Sequence, residues 1–257
     1  MTATPRLPRS AARRLARIDH VLQATYQTPE SVLGNKTDPL DEAVYIILSF
    51  QTGVERAKEV WSELRRAFPT WENLHAASTR RVARTLRLGG LHEQKATTIK
   101  RLLRSVKRQA GRLSLDFLRD LDDREAERFL IRLPGLSWKA ARCVLLYSLG
   151  RDVLPIDSNT FRILKRTGVL PRRAVYRRRT VHDTIQAAVP AHRRRALHVN
   201  LVVHGQRTCL PRAPRCLCCP LNADCPRIGL PGGARGHLPV PSVASGEARA
   251  ARADARA

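Results

Sequence analysis

Residues 133–157 read LPGLSWKAARCVLLYSLGRDVLPID, and the chain is organised around this stretch. Pro134 and Gly135 predict a tight turn, because proline fixes its own φ and glycine accepts the positive φ that follows. Ser137 is placed to cap a helix that continues toward Gly150. The stretch therefore predicts a hairpin, then a helix, then a short loop that leads into another helix.

This stretch also pairs an amine with a carboxylate. Lys139 falls in the first turn of the predicted helix, where the positive end of the helix dipole disfavours an ammonium. We therefore expect Lys139 to be shifted toward its neutral, nucleophilic form, with Asp157 as the neighbouring carboxylate. Taken alone, each residue also has an ordinary interpretation, a solvated lysine and an N-cap aspartate.

The charge of the chain indicates the class of partner. Its 257 residues carry a formal net charge of +25, and a protein this basic is expected to bind polyanions such as nucleic acid. The alternative explanation for the positive charge is a GC-rich coding bias, which favours arginine. No apolar segment is as long as a membrane span, and no apolar region follows the basic N-terminus as in a secretory signal. These features predict a cytoplasmic, nucleoid-associated protein without a membrane partner.

Apolar residues recur at helical spacing through most of the chain, and no segment shows clean strand alternation. The sequence therefore predicts an all-α fold. The apolar run at 44–50, VYIILSF, is too short for its period to decide between helix and strand. Residues 1–16 are expected to form a flexible basic arm, and residues 231–257, rich in Gly, Pro, Ala and Arg, a disordered tail.

Cysteines near the end of the chain predict a metal centre. Cys209, Cys216, Cys219 and Cys225 have the spacing C-x6-C-x2-C-x5-C, which in a cytosolic protein suggests metal ligands more than disulfides. A zinc ribbon normally brings two C-x2-C pairs and only one is present, so the spacing favours a [4Fe–4S] cluster over zinc. Spacing alone leaves Cys218 open as a ligand in place of Cys219.

Three motifs in order, LPGLSWKAA, IDSNTFRI and HGQRTC…PRCLCCPLNADCP, resemble the endonuclease III family over residues 38–230. These proteins are base-excision-repair DNA glycosylases with an associated AP-lyase activity. The resemblance implies two helical domains with a DNA cleft between them. One is a six-helix barrel with the helix–hairpin–helix, here 39–151, and the other is a cluster domain built from 17–38 with 152–230.

The resemblance also implies roles for individual residues. Lys139 falls on the nucleophile position and Asp157 on the catalytic aspartate position. The resemblance further implies a [4Fe–4S] cofactor on the four cysteines and, as partner of a monomer, double-stranded DNA with damaged bases or abasic sites. The DNA-contact positions are of three kinds: fillers of the gap left by an extruded base (Gln51, Leu91), backbone N–H groups that hold a phosphate (Gly135, Ser137), and arginines of the cluster loop (Arg212, Arg215).

The chain departs from the family pattern at three positions. Ser137 replaces a second hairpin glycine, Gly53 stands where an acidic residue is common, and Asn159 replaces a histidine. We expect a bifunctional glycosylase and AP lyase that acts on oxidised pyrimidines. The alternatives are a non-catalytic DNA-binding paralogue and a glycosylase for mismatched or alkylated bases.

Overall fold

The computed structural model describes residues 6–29 and 33–231, and within these ranges the protein is helical without any strand. The predicted all-α fold is therefore confirmed. No helix of these two ranges is long and apolar enough to cross a membrane. The helices are α1 (Arg9–Tyr26), α2 (Pro39–Ser49), α3 (Val54–Ala67), α4 (Trp71–Ala76), α5 (Thr79–Thr85), α6 (His92–Ala110), α7 (Asp123–Arg132), α8 (Trp138–Tyr147), α9 (Ser158–Arg166), α10 (Arg179–Ala187) and α11 (Arg194–Arg207).

Side-chain caps begin the helices around the hairpin. Asp122 caps α7, Ser137 caps α8 and Asp157 caps α9, and each accepts a hydrogen bond from the backbone N–H three residues further along. Such caps satisfy N–H groups that have no partner within their own helix. The sequence signals at the ends of these helices therefore fix residues 133–137 as the turn between α7 and α8.

The apolar run at 44–50 lies almost entirely in α2, with Phe50 as the residue that follows the helix. Ala43, Val44 and Tyr45 are all buried, and successive residues point about 100° apart around the helix axis. A helix that is apolar on most of its sides is buried on most of its sides, which explains why this segment shows no amphipathic period.

The N-terminal arm is shorter than expected. Helix α1 begins at Arg9, so residues 9–16 are helical and not part of a flexible arm. The physical reason is that Ala11 and Leu15 lie on the same buried face as Ile18 and Leu22, and this face packs into the protein. The rest of the predicted tail, 232–257, and residues 1–5 lie outside the described residues.

Buried apolar side chains form two separate clusters. The first consists of side chains between Leu40 and Val153 and includes α2, α3, α6, α7 and α8. The second combines one face of α1 with side chains between Leu154 and Leu221. Helix α1 therefore contributes to the second cluster, the residues that follow it form the first cluster, and the chain from Leu154 onward completes the second.

An ion-pair network connects the two clusters. Arg142 on α8 is 2% exposed, and its Nε donates to Glu127 of α7 at 2.6 Å. The same guanidinium donates to Asp183 of α10, which also pairs with Arg179 at 3.2 Å. Buried charges of this kind require their partners, so the network constrains how α10 lies against the hairpin helices.

Candidate active site

The predicted site residues meet at one cleft with a volume of about 950 Å³. It is lined by the end of α2, the start of α6, the α7–α8 hairpin, and residues that lead into α9 and α10. Both hydrophobic clusters therefore contribute a wall. Six predicted site residues lie on this cleft: Gln51, Leu91, Gly135, Ser137, Lys139 and Asp157.

A smaller pocket of about 180 Å³ adjoins the cleft. Lys139 and Asp157 line both spaces, so they stand at the boundary between them. The small pocket also contains Cys143, one turn along α8 from Lys139, and His198 of α11. An extended substrate in the cleft can thus place one group in the pocket, beside both an amine and a carboxylate.

The expectation that Lys139 is shifted toward its neutral form is wrong. Burial by itself lowers the pKa of the Lys139 ammonium, but the neighbouring Cys143, Asp157, Tyr176 and Glu42 groups outweigh burial and raise its pKa. Lys139 does lie in the first turn of α8, as expected. The neighbouring acidic groups therefore act in the opposite direction to the helix dipole, and the pKa of Lys139 shifts toward the protonated form.

Asp157 is held in place by two hydrogen bonds. Its Oδ1 accepts from the backbone N–H of Thr160 at 2.7 Å, and its Oδ2 accepts from the Asn159 side chain at 3.0 Å. The side-chain oxygen Oδ1 of Asn159 in turn accepts a hydrogen bond from the Arg162 guanidinium at 2.9 Å. Asn159, one of the three departures from the family pattern, therefore orients the carboxylate at the cleft.

Lys95 is a second lysine on the cleft, and its geometry excludes it as a nucleophile. Its ammonium donates to the carbonyl oxygens of Leu48 and Gly89 at 2.8 and 2.7 Å, and to the Thr52 hydroxyl at 2.6 Å. All three N–H bonds are thereby used. Lys95 was not predicted from the sequence, although its position on the apolar face of α6, with Ala96 and Ile99, was a signal that it is buried.

Two loops of strained conformation project into the cleft. Gln51 and Leu91 have φ values of 51° and 49°, in the left-handed region of backbone conformation that residues other than glycine and asparagine rarely adopt. Exposed apolar side chains accompany them: Leu91 is 44% exposed, and Phe50 and Leu88, which the sequence analysis did not identify, are 60% and 58% exposed. The loops therefore present apolar groups to solvent at the edge of a basic cleft.

The hairpin between α7 and α8 requires a glycine. Gly135 has a φ of 86°, and a Cβ at this position would lie 2.4 Å from Cγ2 of Thr98 and 3.2 Å from Cδ1 of Ile47. The backbone N–H groups of Gly135 and Ser137 have no acceptor among the described residues, and both residues are exposed. These N–H groups, next to the N-terminus of α8, can accept an anion as ligand.

His198 is a residue of the small pocket that the sequence analysis missed. It is 1% exposed, and neither ring nitrogen forms a hydrogen bond within 6–29 or 33–231, although the Pro155 carbonyl faces the ring. Burial lowers the pKa of His198 to about 4. A neutral imidazole offers one donor and one acceptor, so His198 can form hydrogen bonds with a polar group in the small pocket. Helix α11 carries no amphipathic pattern that distinguishes His198 from a packed core residue.

The four predicted cysteine ligands line one cavity. Cys218 is exposed and does not line this cavity, whereas Cys219 does. In the part of the chain that the structure describes, no group of three or more His, Cys, Asp or Glu side chains is arranged to hold a metal ion. The buried Arg166 donates toward the sulfur of Cys209 at 3.3 Å, so the cavity already offers a positive partner to a thiolate.

The two predicted cluster-loop arginines lie apart from the cleft. Arg212 and Arg215 are exposed and do not line the cleft, and only Arg215 borders the cysteine cavity. The backbone N–H of Arg215 donates to the Thr208 carbonyl at 2.9 Å, which folds the loop back onto the end of α11. Their predicted phosphate contacts therefore concern a surface outside the cleft.

Comparison with known proteins identifies a family for this arrangement. The family model described as "HhH-GPD superfamily base excision DNA repair protein" matches residues 44–185, which is more than half of the chain. An Arabidopsis thaliana protein that is itself only provisionally named a DNA glycosylase is 29% identical over 188 residues, or 73% of this chain. Endonuclease III of Bacillus subtilis is 25% identical over 74% of this chain and 81% of its own length.

The curated relatives are longer than the matched region. The chain spans 64% of the length of the Arabidopsis protein and 10% of the rice protein ROS1A, to which it is 28% identical. Among solved structures, an endonuclease III bound non-covalently to DNA superposes with a TM-score of 0.72 at 19% identity. That alignment covers 83% of this chain and 94% of the other, which confirms the endonuclease III fold.

Proposed function

Because the chain belongs to the HhH-GPD superfamily of base excision DNA repair proteins, we propose that it is a DNA glycosylase with AP-lyase activity on oxidised pyrimidines in duplex DNA. One observation carries this proposal: Lys139 and Asp157 lie between a cleft and a pocket. A base can reach such a pocket only after it leaves the helical stack, and glycosylases extrude their target base in this way.

DNA binding in the cleft is supported by charge and by backbone geometry. The net charge of +25 attracts the phosphate backbone, and the free N–H groups of Gly135 and Ser137 supply a phosphate site at the start of α8. The Gln51 and Leu91 loops are placed to occupy the space left by the extruded base. The small pocket then receives that base.

The raised pKa of Lys139 requires that its ammonium lose a proton before it reacts. We assign this step to Asp157, which borders the same two spaces. The neutral amine attacks C1′ of the sugar, the C1′–N bond to the base breaks, and the base leaves with the proton from Asp157. The ammonium now attached to C1′ loses a proton as the C1′–O4′ bond breaks and O4′ takes up a proton, which gives the Schiff base. Loss of a proton from C2′ then breaks the C3′–O bond, and the phosphate leaves with the bonding electron pair, which cleaves the strand.

We propose a [4Fe–4S] cluster as the cofactor. Cys209, Cys216, Cys219 and Cys225 line one cavity and would hold it. Their spacing supports a cluster over zinc, because a zinc ribbon normally brings two C-x2-C pairs and only one is present. When bound, the cluster would fix the loop after α11 and would not take part in base removal.

Borohydride trapping on a duplex with one abasic site tests the chemistry. The Schiff base is reduced to a stable covalent adduct in the native protein, and Lys139→Ala is expected to form none. An adduct that persists in Lys139→Ala would reject this lysine as the nucleophile. Native protein that binds the duplex without forming an adduct would reject the lyase activity and leave a monofunctional glycosylase or a DNA-binding paralogue.

A panel of duplexes with oxidised, mismatched and alkylated bases tests the substrate. Release of oxidised pyrimidines by the native protein is the expected result. Release of only mismatched or alkylated bases would replace the proposed substrate but keep the glycosylase, and binding without release of any base would support the non-catalytic paralogue. Iron and sulfide analysis of the same sample tests the cluster, since stoichiometric zinc without iron would reject it.

A further inference from the structure

Lys95 connects the two loops that enter the cleft. On one side its ammonium holds the Leu48 carbonyl and the Thr52 hydroxyl, which flank Gln51 in sequence. On the other side it holds the Gly89 carbonyl, two residues before Leu91. The Thr52 hydroxyl also donates to the Gly89 carbonyl at 2.7 Å, so the two loops are bonded to each other as well as to the lysine.

We propose that Lys95 is a positioning residue that holds the Gln51 and Leu91 loops at the separation at which both enter a DNA duplex. This inference rests on the proposed function, because it concerns how a duplex is opened. Lys95 makes no contact with substrate in this role and acts only through the two loops.

The Gln51 and Leu91 loops need to be held in place, because both have a backbone conformation of high free energy. Left-handed backbone at residues such as Gln51 and Leu91 persists only where the surroundings enforce it. Phe50 and Leu91 also keep apolar surface in water, which favours collapse of the loops onto the protein. Lys95 is 3% exposed and its ammonium is hydrogen-bonded on all three N–H groups, so it holds both loops in place against relaxation of the backbone and against collapse.

The chain supplies a matched control on the same helix. Lys100, five residues further along α6, is 5% exposed and also donates to three oxygens, the carbonyls of Leu74, His75 and Ala77. These carbonyls belong to the end of α4 and lie outside the cleft. Lys95→Met and Lys100→Met therefore remove the same kind of buried ammonium, and only the first one releases the cleft loops.

The test compares strand cleavage at one abasic site in a duplex with cleavage of the same strand without its complement. Only the duplex has a stack to be opened, so the ratio of the two single-turnover rates reports loop insertion. Lys95→Met is expected to lower this ratio by at least about tenfold, the effect of a free-energy change of about 1.4 kcal/mol. Lys100→Met is expected to leave the ratio at its native value, although both variants lose thermal stability.

Thr52 provides a milder pair of variants in case Lys95→Met does not fold. Thr52→Val removes the hydroxyl that joins Lys95 and Gly89 while keeping the shape, and Thr52→Ser keeps the hydroxyl. The ratio of duplex to single-strand cleavage rates should fall in Thr52→Val and keep its native value in Thr52→Ser. Equal ratios in all these variants, or a native protein that cleaves duplex and single strand at equal rates, would overturn the positioning role. A native protein inactive on both substrates would instead reject the proposed function.

Discussion

At the scale of single residues, the proton on Lys139 decides how the reaction depends on pH. Transfer of a proton from the Lys139 ammonium to the Asp157 carboxylate leaves the net charge of the pair unchanged. The fraction of protein with a neutral Lys139 amine is therefore independent of pH as long as the pair holds one proton between its two groups. We expect the single-turnover trapping rate of the native protein at saturating concentration to stay flat from about pH 6 to 9. Burial raises the pKa of Cys143 to about 11 and lowers that of His198 to about 4, so neither titrates in this range.

Asp157→Asn supplies the contrast for this pH profile. Without the carboxylate the proton of Lys139 must go to solvent, and the neutral fraction rises about tenfold for each pH unit below its pKa. The variant should therefore be slow at neutral pH and gain rate steadily as pH rises. A native profile with that same slope would show that solvent, and not Asp157, takes the proton.

The His198 side chain is expected to read the extruded base. His198→Leu keeps an apolar group of similar size in the pocket but removes both ring nitrogens. We expect release of an oxidised pyrimidine to slow by about tenfold, the cost of roughly one lost hydrogen bond. Cleavage at a preformed abasic site, which has no base to read, should be largely retained. Parallel loss of both activities would mean that His198 supports the fold and not recognition.

The residues of the site differ in how far their sequence context predicts them. Lys139 and Asp157 were predicted because their caps and motifs are local in sequence. The raised pKa of Lys139 was not predicted, because the fold sets how burial is outweighed by Cys143, Asp157 and Tyr176 around the ammonium. Lys95 and His198 were missed for the same reason: what makes each of them significant is a set of neighbours that only the fold brings together.

At the scale of elements, the hairpin makes a specific demand at Gly135. Gly135→Ala would place a methyl group 2.4 Å from Cγ2 of Thr98, in addition to about 1–3 kcal/mol of backbone strain at positive φ. The turn is expected to shift, and with it the N–H groups at Gly135 and Ser137. DNA affinity should fall by more than about tenfold, a loss of 1.4 kcal/mol, measured by fluorescence anisotropy with an abasic duplex.

Two further variants separate strain from the hairpin itself. Gly111→Ala has the same kind of positive φ, 73°, but no atom near its added methyl and no place on the cleft, so it should cost stability without weakening DNA binding. Thr98→Ser removes the clashing Cγ2 and should restore part of the affinity lost in Gly135→Ala. If Gly111→Ala weakens binding equally, the effect comes from general destabilisation.

Elements with polar caps were predictable from sequence, and elements without them were less so. Ser137 and Asp157 each cap a helix as expected, because a cap is a local hydrogen bond. Helix α1 has no side-chain cap, and its start at Arg9 depends on the burial of Ala11 and on the packing of Leu15 in the second cluster. That packing joins residues far apart in the chain, which no local pattern reveals.

At the scale of the whole molecule, the charge of +25 should make DNA binding strongly dependent on salt. Each neutralised phosphate releases counterions, and the slope of log K against log salt is about −0.9 for each contact. Affinity for an abasic duplex, measured between about 50 and 200 mM salt, is expected to fall by several orders of magnitude if six or more contacts form. A flat dependence would contradict binding through phosphates.

The same measurement distinguishes charges that contact DNA from charges that only face solvent. Removing Arg212 and Arg215 together should reduce the slope by about 1.8, two contacts at 0.9 each, if the loop after α11 reaches phosphates outside the cleft. Removing Arg104 and Arg108, exposed on the far part of α6, lowers the net charge by the same amount. An unchanged slope in that second pair would show that position, and not total charge, sets the contact. A native slope in both pairs would place Arg212 and Arg215 outside the DNA-binding surface and confine phosphate recognition to the hairpin and the cleft, and an equal reduction in both pairs would show an effect of total charge.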